Sequence, residues 1–173
     1  MEGKITRIIS NLCTVEAEGK LYNCKPRGKF YIQKLTPLVG DRVIIDNENN
    51  YILEILERKN HLDRPMIANV DACIIVTSVK EPSLSLLLLD KILCLIIHNN
   101  IKPIICFTKV DLLDEEEKSE FDKIYEYYNK IGIDAVINSE KERLLSLIDG
   151  DTVVLTGQTG AGKSTLLNKL DSN

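Results

Sequence analysis

Two short segments of this chain carry residue types suited to holding a nucleotide. Gly157, Gln158, Thr159, Gly160, Ala161, Gly162, Lys163, Ser164 and Thr165 follow the phosphate-loop pattern G-x-x-x-x-G-K-S. Its three glycines permit backbone torsions and close approach that a side chain would block. Such a loop turns several N–H groups toward one anion, and the helix start that follows adds partial positive charge. In this pattern Lys163 reaches the β- and γ-phosphates, stabilising the transition state, and the Ser164 hydroxyl binds magnesium. Upstream, Thr108-Lys109-Val110-Asp111 has the form [NT]-K-x-D. The Asp111 carboxylate can accept from guanine N1–H and the 2-amino group, neither of which adenine offers, so a mismatch leaves it unpaired. The Lys109 stem can lie along the base plane. Alone, such a tetrapeptide recurs by chance in solvated loops. Beside a phosphate loop it reads as a base reader.

These segments need strand ends to position them. Residues 152–156 read as a short apolar strand, and Leu166, Leu167 and Leu170 share one face of a helix over 163–170. Residues 103–107 form an apolar run whose end presents Thr108 where a doubly wound sheet binds ligands. Asp71–Val79 reads as a strand buried on both faces. A helix over 84–98, a charged helix near 114–130, a strand near 133–137 and a short helix near 141–148 complete an alternating pattern. That pattern predicts a parallel sheet with right-handed crossovers.

The first sixty residues differ. Alternating runs at 4–9, 12–17, 20–25, 41–46 and 51–57 predict five strands, separated by turn signals such as Glu18-Gly19 and Val39-Gly40-Asp41. Five strands in that length fit a small OB barrel, which often binds nucleic acid on one face. Tyr22, Phe30, Tyr31 and Tyr51 either stack on bases or fill the core. Arg27, Lys29 and Lys34 are candidate phosphate contacts or a solvated loop.

Composition sets the outer bounds. The chain is 44% apolar and 28% charged, which is globular rather than disordered. Residues 1–60 hold ten Lys/Arg and eight Asp/Glu, and residues 61–173 hold twelve and eighteen. The slightly basic N-terminal part fits a polyanion partner or a bland surface. Asp90 and Lys91 interrupt the most apolar stretch, so no membrane span is expected, and no apolar signal core opens the chain. The five scattered cysteines predict reduced thiols in a cytoplasm rather than disulfides. No metal-ligand spacing suggests zinc.

Several motifs together resemble the ribosome small-subunit-dependent GTPases, the RsgA (YjeQ/YloQ) family. They are residues 58–71, Cys24–Gly28, Val39-Gly40-Asp41-Arg42-Val43, Glu81-Pro82 with Leu89-Asp90, and the base reader preceding the phosphate loop. Ordinary GTPases have the opposite order; this family is circularly permuted. The resemblance spans essentially the whole chain. It implies an OB-fold, RNA- or ribosome-binding domain over 1–60, followed by a circularly permuted P-loop GTPase domain over 61–173. It implies binding of GTP/GDP with Mg2+, hydrolysis of GTP, and a role in late 30S maturation in the cytoplasm. The implied partners are the 30S subunit and its 16S rRNA, with the chain expected to be a monomer.

Two departures from the family pattern stand out. The base-contacting loop after the sixth strand, Ser-Ala with a small glycine-containing stretch in the family, is shorter here: Ile137-Asn138-Ser139-Glu140-Lys141. Either Asn138 or Ser139 matches the serine, and Ser139 is carried forward. The family continues beyond the phosphate loop with switch I, switch II and a zinc domain, whereas this chain stops at Asn173. From that, an incomplete GTPase domain is expected, with weak guanine-nucleotide binding, no appreciable turnover, reduced stability and an exposed apolar edge at 152–156. His61 and His98 do not match the family's catalytic histidine and are expected to be structural. Two rival readings remain: a non-catalytic RNA-binding OB module with a vestigial nucleotide site, and an ATP-utilising phosphate-loop enzyme, which Asp111 argues against.

Overall fold

The computed structural model describes residues 1–28, 30 and 35–171. The chain divides into two units, Met1–Val70 and Asp71–Asn173.

In the first unit, β1 (Glu2–Ile9), β2 (Leu12–Ala17), β3 (Lys20–Pro26), β4 (Arg42–Asp46) and β5 (Tyr51–Ile55) close a barrel in the order β1-β2-β3-β5-β4. β3 and β5 pair in parallel; the other neighbours are antiparallel. Strand alternation sends Ile5, Val15, Cys24, Val43, Ile45 and Ile52 inward, all at most 1% exposed. Closing the barrel leaves no free sheet edge.

A short hairpin, β6 (His61–Asp63) and β7 (Met66–Ala68), packs beside it. The Val39-Gly40-Asp41 turn explains how. The Ala68 N–H donates to Val39 O at 2.9 Å and Asn69 Nδ2 to Gly40 O at 2.9 Å. A Cβ on Gly40, at φ +89°, would lie 2.1 Å from Ala68 O, so only glycine permits this approach. Asp41 is fully buried. It accepts Leu38 N–H at 2.7 Å and both Nε and Nη2 of Arg58, at 2.7 and 2.8 Å. This bidentate pair satisfies a carboxylate that would otherwise be costly to bury.

The second unit is a four-stranded parallel sheet in the order β10-β9-β8-β11. Its strands are β8 (Ala72–Ser78), β9 (Lys102–Thr108), β10 (Asp134–Ile137) and β11 (Val153–Thr156). Every residue of β8 is buried, as a strand covered on both faces requires. On one face, α1 (Leu86–His98) lies against β8 and β9, and α2 (Glu115–Lys130) against β10. Phe107 meets Phe121 edge-on there, with ring centroids 5.1 Å apart. The other face packs Ile74, Val76 and Ile104 under Leu144 of α3 (Lys141–Leu147) and Leu166 of α4 (Lys163–Asp171). Ser85 caps α1 by accepting Leu88 N–H, and Asp114 with Glu117 forms a capping box on α2. No helix among the described residues is long and apolar enough to cross a membrane.

Candidate nucleotide site

Parallel strands put all three predicted loops at the same, C-terminal end of the sheet. Thr156 of β11 lies opposite Ile75, Ser78 of β8 opposite Thr108, and Ile137 of β10 opposite Phe107. The end of β11, which feeds the phosphate loop, therefore lies two strand spacings, about 10 Å, from the end of β9, and β10 with Ser139 lies one spacing beyond β9 on the other side.

The phosphate loop runs from β11 into α4. At Gly157, φ is +138°, and an added Cβ would lie 2.0 Å from Val76 O, so the loop leaves its strand in contact with the β8 backbone. Gly160 and Gly162 also take positive φ. Ala161 is fully buried; Thr159, Gly160, Ser164 and Thr165 are exposed. The Lys163 ammonium donates to Gly157 O at 2.8 Å and Gln158 O at 2.7 Å, which folds it over the loop. Ser164, in the first turn of α4, offers a hydroxyl, a hard oxygen ligand that fits magnesium alongside phosphate oxygens.

The base-reading segment is tied directly to that loop. Thr108 is 3% exposed, and its hydroxyl donates to Ala161 O at 2.6 Å. Thr108 therefore joins the two segments rather than facing solvent. Lys109 is left-handed, at φ 60°, and its ammonium donates to Glu81 O, on the β8–α1 loop. Lys80 of that same loop pairs with Glu117 of α2 at 2.6 Å. This contact raises the Lys80 pKa and lowers that of Glu117. Asp111 lies in a 3-10 turn, Val110–Leu112. It is exposed, and no hydrogen bond or ion pair engages its carboxylate among the described residues. It is thus available to a ligand with two neighbouring donors.

Asn138 is half-buried and its N–H donates to Phe107 O at 2.9 Å, which places the turn beside Thr108 and Lys109. Ser139 is exposed at the crest of that turn. His61 and His98 are both exposed, on β6 and at the end of α1. Among the described residues, no group of three or more His, Cys, Asp or Glu gathers as a metal site. The five cysteines are free thiols. Burial pushes Cys13 up to about 11, and Cys73 and Cys106 up to about 12, so these three are unreactive as thiolates.

The barrel candidates separate by burial. Phe30 packs in the core and Tyr22 partly against it. Tyr51 is 41% exposed, with the Arg27 guanidinium 5.9 Å from its ring centroid. Lys29, Tyr31 and Lys34 lie outside the described residues.

Residues 55–173 match the RsgA GTPase family model, and residues 2–52 match the RsgA N-terminal domain. The chain belongs to the RsgA family. A relative named small ribosomal subunit biogenesis GTPase RsgA 1, from Listeria monocytogenes serotype 4b (strain F2365), is 42% identical over all of this chain and 62% of its own length. The crystal structure of YloQ, a circularly permuted GTPase, aligns with TM-score 0.82 at 38% identity, over 98% of this chain and 64% of that one. YjeQ from Thermotoga maritima aligns with TM-score 0.86 at 35% identity, over 99% and 65%. The chain thus spans less than two thirds of the length of these RsgA-family relatives. The five-stranded barrel followed by a permuted α/β region is the RsgA-family architecture.

Proposed function

We infer that this chain binds guanine nucleotide with magnesium and takes part in maturing the small ribosomal subunit. One observation carries the nucleotide reading: the Thr108 hydroxyl bonds Ala161 O, which locks the base-reading segment to the phosphate loop at the ligand-binding end of one sheet. Gly157–Thr165 would hold the phosphates, with Lys163 on the β- and γ-phosphates and Ser164 on magnesium. Lys109 and Asp111 would hold the base, and Ser139 would border it. The names of the relatives support GTP hydrolysis and a small-subunit partner. On this reading the barrel docks a monomeric protein on 16S rRNA of the 30S particle, in the cytoplasm. The Arg27–Tyr51 pair, with a cation beside an exposed ring, supports an RNA contact on the barrel.

For residues 1–173 alone we expect weak nucleotide binding without appreciable turnover. The site residues assigned above grip base and phosphate, and none is an acid or base aimed at the γ-phosphate. The test is titration with fluorescent GDP, competed by GDP and ADP. Displacement by GDP but not ADP, lost in Lys163→Ala, supports the reading; equal displacement by ADP sinks it. GTP hydrolysis that vanishes in Lys163→Ala would overturn the expectation of no turnover. Filter binding to 30S particles with and without a GTP analogue tests the partner: an affinity indifferent to nucleotide would leave only an RNA-binding barrel.

A further inference from the structure

Outside the motifs, the densest polar cluster lies along the outer edge of β10. Asn129 of α2 accepts Ala135 N–H at 3.2 Å and donates to Ala135 O at 3.2 Å, filling the place of a neighbouring strand. Two residues on, Glu140 Oε2 accepts Ile137 N–H at 2.6 Å. The Glu140 backbone N–H donates to Ile137 O at 2.8 Å, so one residue closes the Ile137–Glu140 turn with both main chain and side chain. The carboxylate is itself braced. Oε2 accepts the Tyr125 hydroxyl at 3.1 Å and Oε1 accepts Arg143 Nη1 at 3.3 Å. Arg143 also donates to the Tyr125 hydroxyl at 2.6 Å and to Asn129 Oδ1 at 3.1 Å. Burial alone would raise the Glu140 carboxyl, but the bonds from Ile137, Tyr125 and Arg143 hold it below its ordinary value. It is an anion at neutral pH.

Inside this braced turn, Ser139 is exposed and no hydrogen bond engages it among the described residues. We propose that Glu140 is a positioning residue of the base site: by fixing the Ile137–Glu140 turn, it aims the Ser139 N–H at the 6-oxo edge of a bound purine. This rests on the guanine-nucleotide reading above and adds to it the residue that holds the base-side turn in place. Guanine and hypoxanthine present an acceptor at that edge. Adenine presents an amino group, so donor would face donor. Asp111 reads N1–H and the 2-amino group, whereas the Glu140-braced turn reads position 6. The brace also suits the shortness of this loop, because a four-residue turn has little packing of its own.

The experiment measures GDP, IDP and ADP binding to the chain and its variants by competition, with thermal melting as a check on folding. Glu140→Ala is expected to weaken GDP and IDP about tenfold alike and to leave ADP within about twofold, so the GDP/ADP ratio collapses. Glu140→Gln keeps an acceptor for Ile137 N–H and should retain most of that ratio. Pyrophosphate competition should be unmoved, because the phosphate loop is untouched. A folded Glu140→Ala protein with the parental GDP/ADP ratio would overturn the proposal. Should that variant fail to fold, Tyr125→Phe removes only the bracing hydroxyl. A ratio reduced about threefold then supports the proposal, and an unchanged ratio overturns it. A parental chain that does not prefer GDP over ADP would overturn the guanine reading itself, which the variants alone do not test.

Discussion

β10 and β11 are the two edge strands of the sheet, each ends in a loop assigned to the nucleotide, and the two loops are held by opposite means. The β11 loop is shaped by its backbone: Gly157 lies against Val76 O, and Ala161 O receives Thr108. The β10 loop is shaped by side chains: Asn129 of α2 holds Ala135, and Glu140, just ahead of α3, holds Ile137 while Arg143 of α3 braces them both. Asn129 and Glu140 also satisfy the outer edge of β10. On the reading proposed above, the chemistry of the two ligand parts accounts for the contrast between the loops. A phosphate is a compact anion that a fixed ring of N–H groups can surround. A base is told from its rivals by single donors and acceptors, whose placement is set by tunable supports.

The largest effect that would break this comparison is on the backbone side. Gly157→Ala forces a Cβ to 2.0 Å from Val76 O at a φ few L-residues adopt. Overpacking and strain together should cost on the order of 3 kcal/mol. Melting should fall by several degrees, and nucleotide binding should be lost for GDP and ADP alike. An unchanged melting temperature would show that the loop is not held by this contact. Next comes Asp111→Asn on the base side. An exposed carboxylate that no partner engages among the described residues carries little stability, so melting should hold. GDP affinity should fall by roughly 30-fold or more as two donors lose their acceptor, with preference shifting toward the xanthine nucleotide. A competition assay with GDP and XDP reads both, and parental GDP affinity would remove Asp111 from the site.

Thr108→Val addresses the link between the halves. It keeps the shape but leaves Ala161 O without its 2.6 Å donor in a buried setting. The expected cost is about 1–2 kcal/mol in stability, with loss of affinity for every nucleotide. If instead only GDP weakened, Thr108 would be touching the base, not joining the loops.

The same contrast decides what could be read from the sequence. Glycine-permissive backbone leaves its mark in residue type and spacing, so Gly157–Thr165 and the strand that carries it were legible. So were the five barrel strands, whose alternation is a local signal, and β8, whose unbroken apolar run fits its burial on both faces. Side-chain supports leave no such mark. Glu140 reads as an ordinary acid at a helix start, and only the fold brings it to Tyr125, fifteen positions earlier, and to Ile137. Arg58 and Asp41 are seventeen positions apart, and nothing local announces their pairing. The β6–β7 hairpin lies within residues 58–71, which show no strand pattern in the sequence. Its strands are three residues long, too short for alternation to show, and they are held by Gly40 and Asn69. Thr108 was placed in the base reader by its motif; that it spends its hydroxyl on the phosphate loop is a fact of the tertiary structure.

The smallest predicted effect asks whether base-side support is graded. Lys80 and Glu117 brace the β8–α1 loop whose Glu81 carbonyl receives Lys109, but both side chains are more than a third exposed. Water and salt screen such a pair, so Lys80→Ala should change GDP affinity by no more than about twofold. The pH dependence has a definite sign. The Lys80 ammonium, as donor to its carboxylate, holds Glu117 below its ordinary value. The contribution is therefore complete above the usual glutamate range and disappears as pH falls through the depressed value. Lys80, whose own pKa is raised, stays protonated throughout that range. GDP titrations from pH 7 down through and below the usual glutamate range should thus show the parental chain approaching the Lys80→Ala variant at the acid end. A Lys80→Ala loss as large as that of Glu140→Ala would mean that exposed ion pairs position the base as firmly as the braced turn does, and the division between the two loops would then need a different cause.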